Sequence, residues 1–384
     1  GGNMKEIYFK SPTGFIIGNG VIKKLGAHLN KLGIKKCLLI SDNTLKELGI
    51  VDMVLDYARA DGIEFIEYCG CLPDPPVENV YEALEAYRAK GCQGILGLGG
   101  GSAMDVAKAV SVLVTNPGSF EEYVGVGKVP NRGCPLVLAP TIAGSGSEIG
   151  MFAIMMVNGQ KAGVVDQNLC ADLALVDPEL TVSCPRGLTA ATGLDGLCHL
   201  IESYISNLTS PMAEMFCLEG IHYMVKYLRK AVGQGDNVEA RYWVSYASSI
   251  GLFANNLTDG CAANHGLAFA IGGVYHISHG LSNAIVLPYV FPYVARAELD
   301  RMPRLAQAFG LNIEGKNNQE LADAITEELV RLNRDVGCLI PLSKFGGKPE
   351  DIDHLVDETF AQTRVMGHSS WKLTADELRE IFTK

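Results

Sequence analysis

The apolar and polar positions of the chain follow two different patterns, one on each side of residue 185. In the first part, short apolar runs alternate with stretches in which apolar residues recur every three or four positions, the spacing of one helical face. The alternation predicts strands over 35–41, 63–68 and 92–101, and helices over 43–62, 77–91 and 102–116. Strands that alternate with helices in this way indicate parallel βαβ units, and hence an α/β dinucleotide-binding domain with a Rossmann-like parallel sheet over residues 1–185.

The second part, residues 186–384, shows helical spacing along most of its length. Helices are predicted over 186–207, 210–232, 238–256, 298–310 and 318–337. Pro185 and Gly187 punctuate the change from one pattern to the other, so we place the domain boundary there. An all-helical domain is therefore expected after the α/β domain.

The composition of the chain indicates which partners and which cellular compartment are expected. The chain has 384 residues, 48% of them hydrophobic, and a formal net charge of −11, which disfavours nucleic acid or an anionic membrane as the main partner. Prolines interrupt its longest apolar stretches, so no membrane span is expected. The 11 cysteines and the lack of a secretory signal predict reduced thiols in a cytoplasmic protein, and the tight Cys69–Cys71 pair is interpreted as structural.

Two glycine-rich loops follow predicted strands. The first, GLGGGSAMD, offers the backbone amides of Gly100, Gly101 and Ser102 at the start of a helix, where a pyrophosphate can bind. The second, APTIAGSGSE, offers the hydroxyls of Thr141, Ser145 and Ser147. Glycine at a strand end also serves tight packing, but two such loops favour an extended, phosphate-bearing ligand.

Asp42 follows the strand predicted at 35–41 and has two possible roles. Its carboxylate can accept hydrogen bonds from the ribose diol of an adenosine and repel a 2′-phosphate. It can equally cap the helix that begins at the next residue. The residues alone leave both interpretations open.

Asp195 and His199 lie four residues apart, on one face of a predicted helix. A second cluster in NHGLAFAIGGVYHISHG contains His265, His276 and His279, and its Gly-Gly pair is expected to divide it into two elements. One carboxylate with several imidazoles suits Fe(II), Zn(II), Mn(II), Co(II) or Ni(II). Each histidine taken singly could instead be a packed or capping residue.

Six segments in the same order resemble the iron-dependent (group III) alcohol dehydrogenases. These segments are PDPP, GLGGGSAMDVAKA, PTIAGSGSE, DLALVDPELTVSCP, TAATGLDGLCHLIESYIS and HGLAFAIGGVYHISHG. The resemblance implies an architecture like that of dehydroquinate synthase, with NAD(H) and a metal ion, Fe(II) or alternatively Zn(II). It also implies a homodimer or larger homo-oligomer, for which residues 7–18 would form an edge hairpin.

The resemblance also implies site residues. The metal ligands would be Asp195, His199, His265 and His279. The cofactor-binding residues would be Asp42, Gly100, Gly101, Ser102, Thr141, Ser145 and Lys161, with Lys161 near the nicotinamide and Asp42 favouring NAD over NADP.

Three features depart from the family pattern. Phe269 stands where the family usually has a histidine linked to proton transfer, and His276 stands where it often has asparagine. The segment 253–265 is about three residues longer than usual. We hypothesise that His276 replaces the missing histidine as proton relay; alternatively, it only fills space or hydrogen-bonds a carbonyl.

The expected function is a metal-dependent alcohol dehydrogenase or aldehyde reductase. A hydride would pass between NAD(H) and a small primary alcohol or aldehyde, bound to Fe(II) in the cleft between the domains. One alternative is a reductase of a small aldehyde that bears a carboxylate, sulfonate or phosphonate. Two others are a metal- and NAD-dependent lyase of the dehydroquinate synthase type and a non-catalytic scaffold.

Overall fold

The computed structural model describes residues 7–384, which form two compact units. The sheet unit consists of residues 10–142 and 146–183. The helical unit consists of residues 184–384 together with 143–145 and the described residues 7–9. None of the helices described between residues 7 and 384 combines the length and apolar character needed to cross a membrane.

The sheet unit contains nine strands and five helices within the described residues. The strands are β1 Gly14–Ile17, β2 Lys36–Ile40, β3 Glu64–Tyr68, β4 Gly94–Gly99, β5 Gly125–Val126, β6 Leu136–Pro140, β7 Phe152–Val157, β8 Gln160–Val165 and β9 Leu173–Val176. The helices are α1 Leu25–Lys31, α2 Asn43–Glu47, α3 Ile50–Arg59, α4 Val77–Lys90 and α5 Gly101–Thr115.

Six of these strands form one parallel sheet in the order β1-β9-β6-β4-β2-β3, which confirms the predicted Rossmann-like domain. Successive side chains of β2 enter different cores: Leu38 and Ile40 pack with α4 and α5, whereas Cys37 and Leu39 pack with α1 and α3. A strand covered on both faces must be apolar throughout, which is why β2 has no polar–apolar alternation. A second sheet has the order β5-β8-β7.

The helical unit contains ten helices within the described residues, and the prediction of an all-helical second part is confirmed. They are α6 Arg186–Ile205, α7 Pro211–Gly233, α8 Val238–Leu257, α9 Ala263–Tyr275, α10 His279–Val294, α11 Met302–Ala308, α12 Asn318–Val336, α13 Ile352–Ala361, α14 Thr363–Gly367 and α15 Ala375–Phe382. Helix α6 is central, because every residue from Thr189 to Ile205 is buried.

Glycines account for two differences between the predicted and observed helices. The single helix predicted over 43–62 is two helices, since Gly49 takes a left-handed backbone (φ 74°) that a helix cannot contain. Conversely, Gly272 and Gly273 do not end α9, which continues to Tyr275. A side chain at Gly272 would meet the Ser282 hydroxyl at 3.1 Å, so this glycine permits close packing against α10.

Two further predictions were wrong, one about the start of α5 and one about a hairpin near the beginning of the chain. Helix α5 begins at Gly101 rather than at Ser102, because the extended backbone of Gly100 already serves as its N-cap. Residues 7–18 do not form an edge hairpin. Strand β1 instead pairs in parallel with β9, and the Phe9 ring packs against the rings of Phe216 and Phe253 in the helical unit.

Candidate functional site

The buried helix α6 places two ionisable side chains inside the helical unit. Asp195 is 3% exposed and His199 is 4% exposed, one helical turn apart on the same face. Burying a carboxylate away from water is unfavourable unless charged or hydrogen-bonding groups surround it. The neighbours of Asp195 therefore decide what this pair does.

Two histidines from other helices approach Asp195. The His265 Nε2 atom, on α9, lies 3.6 Å from the Asp195 Oδ1 atom. The His279 Nε2 atom, on the first residue of α10, lies 3.7 Å from the same oxygen. The ligand atoms of these three residues all lie within 4.8 Å of one another, and we call the group the carboxylate triad. Its spacing and composition suit one divalent metal ion.

The position of His279 depends on the glycine that follows it. A side chain at Gly280 would meet the Ala191 carbonyl oxygen at 3.0 Å, so any larger residue there would require α10 or α6 to shift. One turn further along α10, the Asn283 Nδ2 atom donates a hydrogen bond of 2.8 Å to Asp195 Oδ1. The start of α10 thus supplies one imidazole and orients the carboxylate.

His199 belongs to a second, overlapping group. Its ligand atom lies within 4.8 Å of those of Cys261 and His265, and we call these three residues the thiol triad. The His199 and His265 rings stack with their centroids 4.8 Å apart. His199 Nδ1 and His265 Nε2 are both buried without a hydrogen-bond partner. Buried polar atoms are normally satisfied, so unpaired nitrogens in a ligand cluster fit a metal site.

Neighbouring charges in the cluster shift the pKa values of its ionisable side chains. Burial opposes ionisation of Asp195, but His199, His279 and His265 outweigh it and hold the pKa of Asp195 well below its usual value. Burial also opposes protonation of His199 and His265; Asp195 raises the pKa of His199, and Cys261 with Glu202 raises that of His265. These interactions show a group of side chains that favours buried positive charge.

Cys261 has a lowered pKa for the same reason. Burial of the thiol would raise its pKa, but His265 and His199 outweigh burial and lower the pKa to about 6. The lowered pKa favours the thiolate, the form that binds metals.

Sequence reasoning did not assign roles to Glu202, Asn264 or Cys261. Glu202, one turn after His199 on α6, accepts hydrogen bonds from the His265 backbone amide and Nδ1 atom. This contact leaves Nε2 of His265 as the nitrogen that faces the cluster. Asn264 donates to the side-chain oxygen of Asn283 at 3.0 Å. Glu202 was visible as the acid three residues after His199.

The two unusual residues of the histidine segment lie in different environments. Phe269 is half-buried, and its ring stacks on His279 with centroids 5.4 Å apart. His276 is exposed and ends α9 in a left-handed conformation (φ 55°). Among the described residues, neither triad includes His276, so the structure does not bring it together with the predicted ligands.

The first glycine loop begins α5 in the sheet unit. Gly100 is the N-cap, and Gly101 and Ser102 form the first turn, whose amide groups have no partners within the helix. A side chain at Gly100 would meet Ile142 at 3.1 Å. Thr141 is buried and its backbone amide donates to the Gly99 carbonyl at 3.0 Å, so the second loop starts beside the first.

A buried ion pair that sequence reasoning missed holds the second loop. The Lys108 Nζ atom, on α5, lies 3.0 Å from Asp105 Oδ1 and donates to the Ser147 carbonyl and hydroxyl oxygens and to the Phe152 carbonyl. Asp105 in turn accepts from the Ser147 hydroxyl and the Ile154 amide. The signal in the sequence was an acid and a lysine three apart, directly after the glycine loop.

Asp42 caps α2, since its Oδ1 atom accepts a 3.0 Å hydrogen bond from the Leu45 amide. Its Oδ2 atom faces the glycine loop, 3.6 Å from where a side chain at Gly99 would begin. The capping role is therefore established, and the second oxygen leaves room for the ribose role as well.

Lys161 lies on β8, where its half-exposed side chain forms an ion pair of 2.7 Å with Asp74. Ser145 belongs to the helical unit together with its neighbour Gly144. A side chain at Gly144 would overlap the Thr192 carbonyl oxygen on α6, so this part of the second loop packs directly on the helix that holds Asp195.

Two family models match the chain. The model described as "Iron-containing alcohol dehydrogenase" matches residues 12–178, and that described as "Fe-containing alcohol dehydrogenase family, C-terminal" matches residues 189–384. An NAD-dependent methanol dehydrogenase from Bacillus methanolicus is 32% identical over 355 residues, which are 92% of this chain and 93% of that protein.

Solved structures agree in fold. A 1,3-propanediol oxidoreductase has a TM-score of 0.95 and 30% identity, and the match covers 99% of each chain. A sulfoacetaldehyde reductase from Bifidobacterium kashiwanohense, solved in complex with NAD+, has a TM-score of 0.89 and 26% identity over 99% of this chain and 98% of that one.

Proposed function

Because the chain belongs to the iron-containing alcohol dehydrogenase family, we propose that it reduces small aldehydes or oxidises small primary alcohols with NAD(H) and Fe(II). The observation that supports this most directly is the carboxylate triad, in which a buried His265 Nε2 without a hydrogen-bond partner lies 3.6 Å from Asp195. Asp195, His199, His265 and His279 would hold the metal ion.

Each partner has a separate task. When bound, Fe(II) supplies Lewis-acid polarisation of the substrate oxygen, and NAD(H) takes or gives the hydride. Asp195 offsets part of the metal's charge with its ionised carboxylate. Glu202 fixes the orientation of His265, and Asn283 fixes that of Asp195. The half-exposed His279 leaves its side of the cluster open to substrate.

The proposed cofactor residues are those of the two loops together with Asp42 and Lys161. The amides of Gly100, Gly101 and Ser102 would bind the pyrophosphate, with Thr141 and Ser145 in the second loop contributing hydroxyls. Asp42 Oδ2 would accept from the adenosine ribose, and Lys161 would lie at the nicotinamide end. Support comes from the start of α5 and from the relative that is NAD-dependent.

The substrate class follows from Phe269. Its ring stacks on His279, so an apolar surface lies where a titratable group would otherwise stand. We expect this surface to favour an uncharged carbon chain over an anionic group. The similarity to a sulfoacetaldehyde reductase makes the anionic aldehydes the alternative to be tested.

His276 is the proposed proton relay, because it is an exposed imidazole three residues before His279. The test is the His276→Asn variant, since asparagine tolerates the left-handed backbone at this position. A kcat that changes its dependence on pH supports the relay. An unchanged pH profile contradicts it and leaves His276 as a helix-ending residue only.

The function itself is tested by NADH oxidation with a panel of aldehydes, after the protein is prepared without oxygen and reloaded with Fe(II). Butanal and propanal are the uncharged substrates, and sulfoacetaldehyde and succinate semialdehyde are the anionic ones. We expect turnover of the uncharged aldehydes that a chelator abolishes and Fe(II) restores. Full activity after chelation, or no NADH oxidation with any aldehyde, would contradict the proposal.

A further inference from the structure

The thiol triad contains a donor that the four proposed ligands do not include. Cys261 Sγ lies within 4.8 Å of the ligand atoms of both His199 and His265. The two histidines are 4% and 1% exposed, and each has a buried ring nitrogen without a hydrogen-bond partner. A half-buried sulfur and two buried imidazoles therefore lie within reach of a single ion.

The segment that supplies Cys261 is held firmly in place. It is the turn between α8 and α9, in which Asp259 and Gly260 have left-handed backbones (φ 56° and 108°). The Arg364 Nη2 atom donates to the Asp259 carbonyl at 2.7 Å, and His368 Nδ1 donates to the Cys261 carbonyl at 2.9 Å. These two hydrogen bonds thus fix the turn at Asp259 and at Cys261.

The chemistry of the thiol triad differs from that of the carboxylate triad. A thiolate with two imidazoles is a soft donor set that suits zinc and cobalt, whereas a carboxylate also accommodates harder ions such as Mn(II). His265 belongs to both triads, but its Nδ1 atom is bonded to Glu202. Only Nε2 remains for an ion, so His265 serves one ion at a time.

Resting on the proposed function, we propose that Cys261 is itself a metal ligand of this chain, which binds a divalent ion together with His199 and His265. The sulfur binds as thiolate, and the protons that the three ligand groups still hold are released to solvent as the bonds to the ion form. The metal centre of this chain therefore has a thiolate-containing position next to Asp195, and its preference shifts towards softer ions.

The experiment is a Co(II) titration of the metal-free, full-length protein, followed by optical absorption without oxygen. Visible d–d bands report that Co(II) is bound, and a near-ultraviolet sulfur-to-cobalt charge-transfer band reports a thiolate ligand. We expect both in the wild-type protein. Cys261→Ser and Cys261→Ala should lose the charge-transfer band but keep the d–d bands.

Affinity provides a second readout. We expect Cys261→Ser to bind Zn(II) at least about tenfold more weakly, while its Mn(II) affinity changes less than about threefold. The control is Cys217→Ala, which alters a fully buried thiol in the core of the same unit. It should keep the charge-transfer band, and the thermal unfolding of all metal-free variants shows whether they fold.

The outcomes separate this proposal from the one on which it rests. Wild-type protein that shows d–d bands without a charge-transfer band, or a band that survives Cys261→Ser, overturns ligation by Cys261 and leaves the metal centre intact. Wild-type protein that shows no Co(II) bands overturns the metal-dependent function as well.

Discussion

The two units build their candidate sites from different parts of the polypeptide. In the sheet unit, the loops offer mainly backbone amides, at Gly100 and Gly101, placed by the start of α5. In the helical unit, the cluster consists of side chains, and Asp195, His199 and His265 are all buried. A backbone site depends on where its helix lies, whereas a side-chain site depends on the identity of each residue. Substitutions that disturb the packing of α5 should therefore mainly affect stability, whereas substitutions in the side-chain cluster should mainly affect ligand affinity.

The largest effect is expected from removing the charge of Lys108, which is fully buried. Lys108→Met leaves Asp105 buried without its cation, and breaking such a pair costs about 3–5 kcal/mol of unfolding free energy. Thermal and denaturant unfolding measure this loss, with the exposed Lys90→Met as control. Adding Asp105→Asn should recover part of it, and a single variant as stable as wild type would show that the ion pair does not hold the loop.

In the helical unit, Asp195→Asn should abolish metal binding while the protein still folds. The asparagine oxygen can still accept the hydrogen bond from Asn283, but the negative charge is lost. We expect affinity for Co(II) to fall more than about 100-fold, beyond the 10- to 100-fold typical of residues that only orient ligands. Calorimetric titration measures this, and the exposed Asp353→Asn serves as control. Unaltered affinity would exclude Asp195 from the ligand set.

The pH dependence of metal binding tests further whether the site of the helical unit depends on its ionisable side chains. The pKa values of His199 and His265 are raised, so protons stay on these imidazoles to higher pH than usual and must leave before a metal binds. Wild-type affinity for Co(II) should therefore rise by about 10-fold or more per pH unit between about pH 6 and pH 8. Proton release measured in buffers of different ionisation enthalpy checks this, and a flat profile would contradict it.

A smaller effect is expected where backbone packing serves the side-chain site. Gly280→Ala adds a methyl group 3.0 Å from the Ala191 carbonyl and should push α10 away from α6, which weakens Co(II) binding about tenfold. Gly273→Ala is the matched control, because its methyl group would meet no atom within 4 Å. Equal affinities in the two variants would show that the distance between these helices does not set the position of His279.

The smallest effect is expected at Asp42, where helix capping and cofactor choice can be separated. Asp42→Ser keeps a capping oxygen but loses the charge, so the preference for NADH over NADPH should fall about tenfold with little loss of stability. Asp42→Ala should show the same change in preference and also lose about 1 kcal/mol of unfolding free energy. If Asp42→Ser keeps the original preference, Asp42 only caps the helix.

Much of the fold could be predicted because its signals are local. The buried strand β2 and the long helices α6, α7, α8 and α12 follow from apolar spacing, and the resemblance to the iron-dependent family is confirmed by both family models. The errors concern residues whose role depends on distant neighbours. Gly272 packs against α10 rather than ending α9, and Phe9 packs on the helical unit rather than in a hairpin.

The candidate site, too, could be predicted only where its residues follow a local sequence pattern. The spacing of Asp195 and His199, and the pattern around His265 and His279, gave the ligand candidates. Cys261 could not be found in this way, because only the folded turn brings its sulfur to the histidines. Lys108 was missed because a lysine in a helix is ordinarily exposed, and only tertiary contacts reveal its burial.

The ion pair on α5 has a mechanical consequence. Helix α5 begins at the first glycine loop. Through Lys108 and Asp105 it also forms hydrogen bonds with residues 147–154, where the second loop ends. The start of the first loop and residues 147–154 are therefore anchored to the same helix, and a substitution that shifts α5 should disturb both. Parts of the chain that one helix holds in place cost a ligand less binding energy to order than parts held separately.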